Sequence, residues 1–132
     1  MVFRKLAMTI ALSAPLGACG DVCGNYLVSR AYAPGGALSA VMFQRDCGAT
    51  TGFTTQVSIL RPGELPTGMG NAFIADDDHG AARAGDWGGS WAEIRWLGPD
   101  RLRIRYASGT RIFLRREEEA GVRIIYQQVN EG

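Results

Sequence analysis

Residues 44–58 read QRDCGATTGFTTQVS. The stretch holds Cys47, turns at Gly48 and Gly52, and is flanked on both sides by residues that favour extended backbone. On its N-terminal side, residues 37–45 place Val41 and Phe43 on one face and Met42 on the other, a period of two. On its C-terminal side, residues 53–60 direct Val57 and Ile59 one way and Gln56 and Ser58 the other. Two strands joined by a glycine-bearing loop over residues 46–52 are expected. Thr50, Thr51, Thr54 and Thr55 fit the same reading through strand propensity and turn hydrogen bonds.

The pattern extends outward in both directions. Upstream, Tyr26, Val28, Arg30 and Tyr32 alternate, and Pro34-Gly35-Gly36 makes the turn into the next strand. Downstream, Pro62, Pro66, Gly68 and Gly70 mark a long connection before a short strand over residues 71–75. Residues 76–90 read as a surface loop. A closing meander then places Ala92, Ile94 and Trp96 on one face and Glu93 and Arg95 on the other. After the Gly98-Pro99-Asp100 turn, Arg101, Arg103 and Arg105 alternate with Leu102, Ile104 and Tyr106. Residues 111–115 are expected to pair back after Ser108-Gly109, and Val122, Ile124 and Tyr126 align along a last strand. About eight short strands in roughly a hundred residues predict an all-β domain, a single small antiparallel sandwich or open barrel.

Length and charge bound the function. A chain of 132 residues has room for one such domain once an N-terminal leader is subtracted. Beyond the leader, twelve arginines stand against thirteen acidic residues. A nearly neutral domain gives no bulk electrostatic case for nucleic acid.

Arg4 and Lys5 precede a compact apolar run at residues 6–14, and Pro15 breaks it before a series of small residues. The run is short for a permanent membrane span, so a cleaved export signal over residues 1–18 is expected. Leu16-Gly17-Ala18-Cys19 resembles the lipobox of bacterial lipoproteins, in which cleavage exposes a cysteine that becomes lipidated. The resemblance implies a membrane anchor on Cys19, a short tether over residues 19–24 and a domain over residues 25–132. An ordinary secreted protein with a coincidental Cys19 is the competing reading. Gly20, where inner-membrane lipoproteins carry aspartate, points to the outer membrane, facing the periplasm.

Lipidation would consume one of three cysteines and leave Cys23 and Cys47 as a pair in an oxidising compartment. Counted outward from Pro34-Gly35-Gly36, the two are about equally distant, so a hairpin brings them together and a disulfide is expected. The alternative, Cys47 as a nucleophile with His79 as base, lacks a third group to orient the imidazole.

The segments AVMFQRDCGATTGFTTQVSIL, GNAFIADDDHG, WGGSWAEIRWL and RLRIRY together resemble a group of small bacterial proteins, many of them lipoproteins, known as a domain of unknown function. The likeness spans roughly residues 34–126. It implies a single domain and assigns no reaction.

Three surfaces are candidates for binding. Asp76, Asp77, Asp78 and His79 offer hard oxygen donors and an imidazole that could hold a divalent ion, with Asp76, Asp78 and His79 as ligands; a solvated acidic loop is the competing reading. Arg95, Arg101, Arg103 and Arg105, with Arg123, would share one sheet face able to meet carboxylate or phosphate, unless neighbouring acids neutralise it. Trp87, Trp91 and Trp96 could stack on a ligand or serve as core. One histidine, no paired catalytic carboxylates and no nucleophile elbow around the threonines speak against an enzyme. No cofactor is implied. The expected role is a non-enzymatic envelope lipoprotein that engages another envelope protein, with a small-ligand or ion-binding module as the alternative.

Overall fold

The computed structural model describes residues 22–48 and 51–130. The expected export signal, Cys19 and Thr50 lie outside the described residues. Nine strands are found among those described: β1 (Gly24–Tyr32), β2 (Ser39–Asp46), β3 (Thr54–Leu60), β4 (Phe73–Asp76), β5 (Ala92–Gly98), β6 (Arg101–Ala107), β7 (Arg111–Arg115), β8 (Glu118–Glu119) and β9 (Val122–Val129). They form two open sheets, one ordered β1-β2-β3-β4-β7 and the other β5-β6-β9-β8. One apolar cluster joins them: Met42, Val57, Ile59 and Phe73 from the first sheet, and Leu102, Ile104, Val122 and Ile124 from the second. The expectation of an all-β domain therefore holds: two open sheets share one core and do not close into a barrel.

The β1–β2 hairpin turns at Gly35 and Gly36, whose φ values of 88° and 74° suit glycine. Its ladder runs without a break from Gly24 opposite Asp46 to Leu27 opposite Phe43, then shifts by one residue at Val28. Continued one step outward, that ladder sets Cys23 against Cys47. The two are disulfide-bonded with Cα atoms 3.9 Å apart, closer than the 4.4–6.8 Å usual for such bonds.

The central strands of the first sheet, β2 and β3, are buried on both faces. Ala40 and Met42 face the second sheet, while Val41 and Phe43 are fully buried on the opposite side. The connection over residues 61–72 covers that side and is stitched down by polar groups. Gln56 Oε1 accepts from the Gly70 N–H at 2.7 Å. Asn71 exchanges side-chain hydrogen bonds with both backbone groups of Ile59, at 2.8 and 2.9 Å. A Cβ at Gly70 would come within 2.9 Å of the Val57 carbonyl oxygen, so only glycine lets the connection lie this close. Beneath it Arg45, only 8% exposed, donates to Asn25 Oδ1 at 2.7 Å and to the Gly68 carbonyl at 3.1 Å.

Two expectations of the closing meander are corrected. First, β7 does not pair back onto β6; it crosses to the first sheet and pairs with β4. The Ser108-Gly109 turn packs against the loop after β4, where a Cβ at Gly109 would meet the Ala81 carbonyl oxygen at 2.7 Å. From there the chain is directed to the β4 edge, and the Arg111–Asp76 ion pair at 2.6 Å fixes the end of the register. Second, the space left beside β6 is taken by β9, which runs parallel to it from Arg101 opposite Arg123 to Ala107 opposite Val129. The second sheet is thus mixed.

Candidate functional site

The arginines singled out from the sequence share one surface. In β5, β6 and β9 the core side takes Ala92, Leu102, Ile104, Tyr106, Val122 and Ile124. Strand alternation therefore sends Glu93 and Arg95, Arg101, Arg103 and Arg105, and Arg123 to the outer side. The register sets Arg95 directly opposite Arg103, and Arg101 directly opposite Arg123. Like charges directly across a ladder are destabilising, so each pair costs the sheet stability.

Neutralisation is partial. Glu93 is shared, its Oε1 standing 3.2 Å from Arg105 and 3.8 Å from Arg103. Glu118 lies opposite Arg123 on the short β8. Arg95, Arg101 and Arg123 make no ion pair among the described residues. The Nε atoms of Arg103 and Arg105 are shielded from solvent yet have no hydrogen-bond partner in the protein. At the edge of this face, Asp100, Arg101, Glu118, Gly121 and Arg123 surround an open hollow of about 480 Å³. The arrangement is a flat cationic surface, rich in planar donors suited to bidentate contact with carboxylate or phosphate.

The acidic turn after β4 is organised differently. Arg111 grips Asp76 with two hydrogen bonds, at 3.0 and 2.6 Å, and its guanidinium lies 3.7 Å from Asp78. The Asp78 N–H also donates to Asp76 Oδ1 at 2.9 Å. Burial pushes the Asp76 carboxyl up, but the Arg111 hydrogen bond, the Asp78 N–H and the Arg111 charge outweigh it and hold the group below the usual carboxylate range. Asp78 and His79 both adopt left-handed backbone, with φ 49° and 57°. Among the described residues no group of three His, Cys, Asp or Glu side chains is placed to hold a metal ion.

Threonine and tryptophan candidates serve the packing. Thr55, fully buried, donates to the Ser90 carbonyl at 2.6 Å and accepts from Trp87 Nε1 at 2.9 Å, which occupies its hydroxyl on both sides. The Trp87 carbonyl accepts from Gln44 Nε2. Trp96 Nε1 reaches the Ala31 carbonyl at 2.8 Å and ties β5 to β1 across the sandwich. Trp91 lies under the Arg83 guanidinium, 4.5 Å from its ring centroid. The three indoles are thus dispersed and do not form one stacking platform.

Sequence reasoning missed the direct opposition of arginines, because period-two alternation names a face but leaves the register open. The signal available was the equal distance of Arg95 and Arg103 from Pro99, four residues on either side of the Gly98-Pro99-Asp100 turn, which implies that a hairpin matches them. No family model, curated protein or solved structure matches the chain.

Proposed function

We propose that this chain is a non-enzymatic bacterial envelope lipoprotein, anchored through lipid on Cys19 in the outer membrane, that engages another envelope protein through the arginine face of its second sheet. The observation that carries the reading is the pair of like-charged cross-strand contacts, Arg95 with Arg103 and Arg101 with Arg123. An arrangement that weakens the free sheet is offset when carboxylates of a partner lie between the guanidinium groups. The leader and its Leu16-Gly17-Ala18-Cys19 motif support the anchor and the compartment. Among the described residues no helix is long and apolar enough to cross a membrane. A second reading, a small anionic ligand, draws on the hollow between Arg101 and Arg123.

Two experiments test this. Acyl labelling and fractionation are expected to place the wild type in the membrane, with Cys19→Ser unlabelled and released; a soluble, unlabelled wild type refutes the anchor. Capture from envelope extracts is expected to recover a stoichiometric acidic protein. The Arg101→Glu/Arg103→Glu variant, folded by circular dichroism, should weaken that capture by at least about tenfold. Undiminished capture by the variant refutes the face. A melting temperature raised by inorganic phosphate, with no protein captured, favours the small-anion reading.

A further inference from the structure

Sheet edges invite strand pairing, and three of the four edges here are guarded. The β1 edge carries a bulge at Val28 and the charge of Arg30. The β7 edge has a register break at Phe113 between Arg111 and Arg115. The β5 edge bears Glu93 and Arg95 and breaks register at Leu97. Bulges and charges are the usual protection against adding a strand.

The fourth edge has neither. β9 pairs with β6 along its whole length without a register break. On its other side β8 covers only Val122 and Arg123, and the Ile124 N–H donates to the Glu117 carbonyl at 2.9 Å. Backbone groups two residues apart point the same way, so those of Tyr126 and Gln128 face outward beyond the end of β8. Neither residue has a further strand beside it among the described residues. The edge borders an open groove of about 340 Å³ between Arg115 and Glu117 on one side and Ile124, Ile125 and Tyr126 on the other. Residues 124–130 read IIYQQVN, with no charge, proline or glycine.

We infer that β9 is a self-pairing edge and that its occupant is β9 of a second copy of this chain, antiparallel about a twofold axis at Gln127. The hydrogen-bond parity permits it. Centred on Gln127, Tyr126 lies opposite Gln128 of the second copy, and both present outward backbone groups that exchange bonds. Ile125 lies opposite Val129 on the outer face. β8 closes the edge at residue 124, and the twofold imposes the same limit at the other end, so pairing covers residues 125–129. The absence of charge suits a copy of itself: an uncharged segment opposes no like charge when it meets its twin, whereas it offers an acidic partner strand no cation. The arginines of β6 lie one strand further in. Those of two copies are therefore about three strand spacings apart, roughly 14 Å, beyond the screening length of about 8 Å. The twofold closes, so a dimer forms instead of a fibre. It joins two arginine faces into one continuous surface. The inference stands on the edge alone and survives if the arginine face binds nothing.

Gln127 is exposed and its own backbone groups face β6, so its side chain can be changed without touching the ladder. In a Cys19→Ser background, the full chain is expected to show a concentration-dependent monomer–dimer equilibrium by sedimentation. Gln127→Glu and Gln127→Lys each set like charges across the axis and are expected to weaken dimerisation by roughly fivefold, with an unchanged melting temperature at dilutions where the wild type is monomeric. Mixing the two variants is expected to restore association, as mixed dimers. A wild type that remains monomeric as concentration rises overturns the inference. So does a dimer indifferent to both substitutions, or a mixture no better than its components.

Discussion

Removing the disulfide in a Cys23→Ser/Cys47→Ser variant is expected to lower the unfolding free energy by about 3.5 kcal/mol. The bond spans a sequence separation of 24 residues, and on the chain-entropy account its main effect is to restrict the unfolded chain. The native side of the balance points the same way. β1 is an edge strand whose only ladder is with β2. Its N-terminal half presents Tyr26 and Leu27 to solvent at 60% and 54% exposure, so burial contributes little there. What holds that half is the ladder, the Asn25 contacts to the carbonyls of Pro66 and Gly68, and the bond itself. Because Arg45 depends on Asn25 Oδ1 for one hydrogen bond, fraying at Cys23 would also loosen a buried guanidinium. Thermal melts in the presence and absence of reductant should therefore differ by roughly 15–25 °C for a domain of this size. Amide exchange should show the largest loss of protection in residues 24–27. A cost of less than about 1 kcal/mol, with unchanged protection there, would overturn the role assigned to the hairpin.

The disulfide was legible before the fold was known because it needed only a turn and a count. Pro34-Gly35-Gly36 set the hairpin, and Cys23 and Cys47 stood at matching distances from it. The faces of the strands were equally plain: Leu102, Ile104 and Tyr106 are buried, as their alternation with arginines implied. Strand partners were another matter. A two-residue turn such as Ser108-Gly109 looks like a hairpin in sequence, and only the approach of Gly109 to Ala81 and the ion pair of Arg111 with Asp76 reveal that β7 belongs to the other sheet. Contacts of that kind are long-range, and periodicity carries no information about them. The cover over the first sheet was half legible. Ala40, Val41, Met42 and Phe43 form an unbroken apolar run, the pattern of a strand buried on both faces, yet the connection that buries it is rich in proline and glycine and reads only as a long link between strands. Alternation along β5, β6 and β9 is enough to set the arginines on one face. That its members oppose one another in pairs, and that β9 has a free edge, both depend on register.

Phe73 of the first sheet packs against two aromatic rings of the second, and Phe73→Ala is expected to cost about 3–5 kcal/mol. Phe73 is fully buried on β4, a strand of four residues whose hold on its place depends on what it packs against. Its ring meets two tyrosines of the opposite sheet, Tyr106 on β6 and Tyr126 on β9, each at 6.0 Å between centroids with the planes inclined by 31° and 34°. Those are favourable separations for aromatic pairs, which contribute about 0.5–1.5 kcal/mol each beyond the area buried. Tyr126 is itself fixed, its hydroxyl donating to the Arg116 carbonyl at 2.6 Å. The surroundings therefore cannot collapse freely into the space that alanine would leave, and the cavity term remains in full. Phe113 supplies the contrast: it lies on the neighbouring strand β7 but is 58% exposed, so Phe113→Ala should change stability by no more than about 0.5 kcal/mol. Urea unfolding of the two variants separates packing from mere aromatic content. If both lose the same amount, or if Phe73→Ala retains the wild-type midpoint, then the sheets are held by something other than this aromatic contact, and β9 would owe its place to its ladder with β6 and to the burial of Val122 and Ile124.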